Sequence, residues 1–243
     1  AAHVARSLKQ LGHESNLLFD LLEVGELLGA AEAHIVLDRR THRAHSILSP
    51  ALAPLQSEAL CVFFPRVRLD AERLCLLHEL TSNEQLGLSG HGSRSGLRLM
   101  AMYALSELPC VLSGGSLFMC DPAGRYLAGH GKRAGEMGGE AAQGSSVGRV
   151  YPLVPADLPQ RFPDAFAPLA LFGFDPLAGM PLDGTLLRLP LRSHALAVES
   201  SLGGPFWSVA RASALLCEFE RHAAVALLGL DTLARLSTYE WNA

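Results

Sequence analysis

The sequence predicts an α+β fold in two layers, and three observations carry that prediction. Helical and strand-like apolar periods are interspersed along the chain, without the regular βαβ alternation of a doubly wound sheet. Of 243 residues, 49% are hydrophobic and 18% charged, which is enough for a substantial core and too apolar for a disordered chain. No internal repeat at solenoid periods competes with that reading.

The elements follow in order. Residues 17–28 place Leu17, Leu18, Leu21, Leu22, Leu27 and Leu28 at helical spacing, with Ser15 or Asn16 as cap and Gly29 as stop. Residues 33–38 (AHIVLD) read as a short strand followed by a basic turn, and 59–64 (ALCVFF) as a second, buried strand. Asp70 is placed to cap a helix over 71–80. A Gly/Ser loop over 87–96 precedes a helix over 97–105. Gly114-Gly115 between two apolar runs predicts a hairpin over 110–120. Seven glycines within 129–148 predict a flexible loop inside one domain spanning 1–243. Residues 162–174 form an aromatic, proline-bounded segment. Residues 184–192 (GTLLRLPLR) alternate loosely as a strand, with Pro190 favouring an edge or a strand end. Residues 206–230 are the longest helical pattern, and 233–241 a final strand.

Composition excludes several functions. A net charge of −4 argues against a general nucleic-acid binder, whose footprint is basic. The apolar stretch 97–119 is interrupted by Arg98, Glu107, Pro109 and a Gly-Gly pair, so no membrane span is expected. The five cysteines are odd in number and lack a CxxC pair, so they read as buried thiols in a reducing compartment rather than disulfides or a zinc site. Residue 1 is alanine and no signal peptide follows, so the chain reads as a piece of a longer polypeptide.

Several motifs touch on chemistry. Gly144-Ser145-Ser146-Val147-Gly148 fits GxSxG, but a nucleophile elbow needs a preceding strand and a following helix, and here a glycine-rich loop precedes and prolines follow. His42 and His45 with Asp38 lie in an Arg-rich turn that would repel a cation, so they read as solvated surface histidines. The loop GLSGHGSRSG, with Arg94 and Arg98, has the glycines and charge to approach a phosphate but lacks the Gly-Lys-Ser/Thr of a P-loop. Asp20 and Glu23, three apart on one helix, share a face, as a solvated surface or as a metal or base pair.

Taken together, these segments resemble the sacsin-type domain of the GHKL ATPase superfamily, which includes gyrase, heat-shock chaperones and histidine kinases. SLFMCDPAGRYL at 116–127, RFPDAFAPLALFG at 161–173, DGTLLRLPLR at 183–192 and LLGLDTLARLSTYEW at 227–241 carry the resemblance, in order and spacing. It implies a mixed β-sheet covered on one face by helices, with a nucleotide pocket between helices and sheet. In that family the first helix supplies a Glu that activates water and, four residues later, an Asn that holds magnesium. LLFDLLEVGELLGAAEAHIVLD aligns without gaps, placing Asp20 at the Glu and Val24 at the Asn. Leu27 replaces an acid, while Gly29, Ala30 and Glu32 match. The second strand ends in Phe64 where an adenine-binding carboxylate or amide is expected. The phosphate-cradling segment retains Gly96 but has Arg98 in place of another glycine, where a side chain obstructs backbone approach. Thr185 remains as an adenine-side contact.

The resemblance and its departures together imply a degenerate nucleotide pocket, with Asp20 a vestigial base and Glu23, Val24, Gly29, Phe64, Gly96, Arg98 and Thr185 its remnants. No cofactor or metal is then expected. The implied role is a chaperone-like module in cytoplasmic protein quality control. Its partners would be other domains of the parent chain, chaperone machinery or client proteins, with no nucleic acid and no membrane. The alternative is an ATPase that binds ATP and magnesium, with Asp20 as base and Glu23 on the metal.

Overall fold

The computed structural model describes residues 2–8, 14–69, 100–127, 132–133 and 148–242. The helix expected over 71–80, the Gly/Ser loop at 87–96, Gly96, Arg98 and the GxSxG serine Ser146 lie outside them, as do most of 129–148.

Eight strands form a single sheet: β1 Glu32–Asp38, β2 Ala59–Pro65, β3 Cys110–Ser113, β4 Ser116–Cys120, β5 Lys132–Arg133, β6 Gly148–Pro152, β7 Gly184–Pro190 and β8 Arg235–Trp241. Their order is β5-β6-β4-β3-β7-β2-β1-β8. Every neighbouring pair is antiparallel except β1 and β8, so the sheet is mixed, as the fold class requires. The hairpin β3–β4 turns on Gly114, at φ +55. Pro190 ends β7 at its last rung with Ala59. β7 lies between β3 and β2, so Pro190 marks a strand end and not an edge.

The period-2 alternation of the strands sorts the core into two clusters. Ala33, Ile35, Leu37, Leu60, Val62, Phe64, Val111, Phe118, Leu187 and Leu189 face one side. There they meet the helices α1 (Ala2–Leu8), α2 (Leu17–Leu27), α3 (Ala101–Leu105) and α7 (Val209–Leu228). The opposite set, including Val36, Cys61, Phe63, Cys110, Leu112, Met119 and Leu186, is covered by shorter pieces. These are a 3-10 turn over Pro50–Leu55 and, from the β6–β7 connection, α4 (Asp157–Arg161) and α5 (Pro163–Phe166). Helix α6 (His194–Glu199) follows β7 and buries Leu196 in the same cluster. The apolar run of β2, and that of β7 apart from Thr185 and Arg188, follow from this: both strands are buried on both faces.

Helix α2 is set at both ends by local chemistry. A 3-10 turn over Glu14–Asn16 leads into it, so the Asn16 backbone is already helical (φ −91, ψ −10) and its side chain makes no capping bond. Sequence spacing had pointed to a side-chain cap at Ser15 or Asn16. At the other end Gly29 adopts φ +73, its N–H donates to Glu26 O (2.9 Å), and the Ala30 N–H donates to Gly25 O (2.9 Å). That pair of bonds is a Schellman closure, which favours glycine because the left-handed residue carries no Cβ. Beyond it, the Glu26 carboxylate accepts the N–H groups of Asp231, Thr232 and Leu233 at 2.8–3.0 Å, tying α2 to the approach of β8. No helix among the described residues is long and apolar enough to cross a membrane.

Candidate functional site

The resemblance places a nucleotide cleft between α2 and the sheet, so the side chains there decide what the region can do. Val24 is 3% exposed and Phe64 0%. Both belong to one apolar cluster with Leu21, Ile35, Val62 and Tyr103. Gly25 presents bare backbone to the Phe64 ring: a Cβ built on it would lie 2.8 Å from Phe64 Cδ1 and Cζ. Helix and sheet therefore meet in direct contact at this point, through an apolar side chain on the strand and a glycine on the helix.

Thr185 stands opposite Phe64 on β7, fully buried. Its hydroxyl donates to the Val67 carbonyl (2.7 Å) and accepts from Ser113 Oγ (2.8 Å), which in turn accepts the Leu69 N–H (2.7 Å). The chain runs Leu69 N–H to Ser113 to Thr185 to the Val67 carbonyl, and it straps residues 67–69 across the ends of β3 and β7. Both hydroxyls are engaged within the protein, as buried hydroxyls must be.

The sequence matches the model of the sacsin domain family over residues 5–243. The chain belongs to the sacsin domain family. It is 26% identical to human sacsin over 233 residues, which is 93% of this chain and about 5% of the length of that curated relative.

In this sacsin domain the predicted site residues separate into three groups. Val24 and Phe64 share the apolar contact of α2 with the sheet, and Thr185 lies beside Phe64 on the neighbouring strand. Asp20 and Glu23 lie on α2 but are only partly buried, and Gly29 closes the helix. Leu27, read as replacing a pocket acid, is 55% exposed and lies outside that contact.

The histidines and cysteines also depart from expectation. His45 is exposed, but His42 is not a solvated surface histidine. Its backbone N–H donates to Gln56 O (2.8 Å), and burial, reinforced by Arg188 and Arg40, pushes its pKa down to about 4. The turn holding it folds back over the second face because Asp164 of α5 accepts the His45 and Ser46 N–H groups (3.0 and 2.8 Å). Asp38 is fully buried and takes Arg40 through both oxygens at 2.8 Å. Among the described residues no cluster of His, Cys, Asp or Glu is arranged to hold a metal ion. Cys61, Cys110 and Cys120 are buried thiols as expected, but Cys217 is exposed.

Sequence reasoning missed two buried arginines. Arg192 is 0% exposed, pairs with Glu107, and donates to the carbonyls of Tyr103, Ala104, Ser106 and Pro205. Gly204 admits it: a Cβ there would come within 2.8 Å of its Cζ. Arg188 is 4% exposed in the middle of β7. The signal for both was present, two charges set among leucines in GTLLRLPLR.

Proposed function

We propose that this sacsin domain keeps a GHKL-type fold but has lost magnesium-ATP turnover, and that it acts as a chaperone-like module of protein quality control in the cytosol. Its work is then contact with other domains of a larger chain or with client proteins. The observation that carries this reading is the closed contact of Phe64 and Val24 between α2 and the sheet. A purine would have to expel Phe64, whose burial contributes about 2–3 kcal/mol. That cost alone weakens binding by a factor of roughly 30–150. Magnesium needs oxygen ligands, and the Val24 side chain has none to offer. The Thr185 hydroxyl is fully buried, its proton is committed to Val67 and one lone pair to Ser113, so it has a single lone pair left to offer a ligand.

Calorimetric titration of the domain with magnesium-ATP tests the reading. No binding heat at millimolar nucleotide is the expected result. The competing reading, an ATPase with Asp20 as base and Glu23 on the metal, draws on both carboxylates being partly exposed on one helix. It predicts micromolar binding that persists in Asp20→Ala while turnover disappears, and that outcome would overturn the proposal.

A further inference from the structure

Arg188 occupies the centre of a row that crosses three strands. In register it lies between Cys61 of β2 and Cys110 of β3, on the sheet face away from the long helices. Its guanidinium donates to two backbone carbonyls, Leu55 O at 3.3 Å and Ser57 O at 2.8 Å, while its Nε–H has no acceptor. Among the described residues no carboxylate forms an ion pair with it. Carbonyls satisfy hydrogen bonds but carry no net charge, and a buried cation normally has a counter-charge.

The surroundings do not supply one. The carboxylate of this network, Asp38, is held by Arg40 through both oxygens, which leaves Asp38 and Arg40 neutral as a pair. His42 is uncharged at neutral pH, its pKa lowered to about 4 by burial and the two arginines. Burial pushes the thiols up, Cys61 to about 12 and Cys110 to about 11, so neither is a thiolate despite the pull of Arg188. Asp121, buried beside Tyr126 and Leu127 of the same cluster, is taken up by the N–H groups of Arg125, Tyr126 and Leu127. Among the described residues, Arg188 is therefore a buried cation with no ion-pair partner.

Beside Arg188 lies a cavity of about 30 Å³, lined also by Gln56, Cys110, Met119, Pro168 and Leu169. One water needs roughly 10–15 Å³, so the space admits one or two water-sized species and is too small for a five-atom oxyanion such as phosphate. Gln56, 8% exposed, lines the same cavity and its Oε1 has no partner. Ser57 Oγ and His42 Nε2 are further buried atoms without partners, and both residues are bonded into this network through Arg188 and Gln56.

We propose that the cavity beside Arg188 binds a small monovalent inorganic anion of the halide class, held by Arg188 with Gln56 in its lining and supplying the counter-charge that the described residues do not. Arg192, four residues further along the chain, is the internal contrast. There Glu107 provides the charge and four carbonyls take the remaining donors, so the fold balances a buried arginine by itself.

The test is thermal unfolding of the 243-residue chain in chloride or bromide against gluconate at constant ionic strength, with anomalous diffraction from crystals grown in bromide. Saturating halide is expected to raise Tm by roughly 2–5 °C over gluconate. Arg188→Met is expected to abolish that difference, and a bromide peak is expected in the cavity beside the Arg188 side chain. Equal Tm in halide and gluconate, an undiminished halide effect in Arg188→Met, or a cavity filled by water alone in bromide crystals would each overturn the proposal. The diffraction arm uses the unaltered chain, so it decides the matter even if Arg188→Met does not fold.

Discussion

The two faces of the sheet treat buried polarity in opposite ways. Under the long helices, where the family resemblance locates a nucleotide, the polar groups at the strand ends are few and internally satisfied: Ser113 and Thr185 bond each other and the strap at 67–69. On the other face, where the resemblance implies nothing, a buried arginine lies beside a cavity with several polar atoms unpartnered. The location that the resemblance implies is therefore a poor guide to where buried polar groups are left unsatisfied. Burial makes each of them costly.

The two buried arginines give the sharpest way to break this comparison. Glu107→Ala strands Arg192 without its counter-charge, and removing one partner of a buried pair costs about 3–5 kcal/mol. Arg188→Met leaves no carboxylate behind; it takes the donors from Leu55 O and Ser57 O but also removes a buried charge without an ion-pair partner, so its cost in gluconate is expected to be smaller, about 1–2 kcal/mol. Urea denaturation of both variants measures the difference. Equal losses would mean that Arg188 is balanced by something within the fold, and the contrast between the faces would fall.

The contact on the helix face is probed by Phe64 and Gly25. Phe64→Ala is expected to cost about 3–5 kcal/mol as a large-to-small change in a closed core. Gly25→Ala is expected to cost about 1–3 kcal/mol by overpacking against the ring. Combined, the two should cost less than their sum, because the new Cβ occupies space the ring vacates. Additive losses would show that α2 and β2 do not meet there. Thr185→Val comes next, at about 1–3 kcal/mol, since it leaves the buried Val67 carbonyl without its donor. Faster amide exchange at Leu69 in that variant would locate the loss in the strap.

Most of the fold was legible in the sequence, for identifiable reasons. The 59–64 and 184–190 runs are apolar at nearly every position because both strands are buried on two faces, and the leucines of 17–28 repeat at helical spacing because one face of α2 lies on the sheet. The candidate site was only partly legible. The chain alignment put Val24, Phe64 and Thr185 in one region, and the structure brings them together. It could not show that Leu27 points outward, because the helix is closing at that turn. Nor could it show the row Cys61–Arg188–Cys110, because strand register joins residues from three distant parts of the chain. His42 misled for a related reason: its polar, Arg-rich turn looks solvated until Asp164, far along the chain, draws it onto the second face.

Glu26 supplies the smallest effect, and one that the helix face alone should show. Burial tends to raise its pKa, but the Thr232 hydroxyl and the backbone N–H groups of Leu233, Thr232 and Asp231 more than offset this and hold it below 4.5. A carboxylate with a lowered folded pKa stabilises the fold fully above its unfolded value, and that stabilisation is lost as pH falls through the folded value. Glu26 is only partly buried, so the effect is screened, and Glu26→Gln is expected to cost about 1 kcal/mol at neutral pH. Thermal unfolding of both forms between pH 7 and 3 should show the gap at its widest above pH 4.5 and narrowing below it. A gap that stays constant to pH 3 would mean that the amide keeps the same bonds as the carboxylate. The tie between α2 and the approach to β8 would then owe its strength to shape and not to charge.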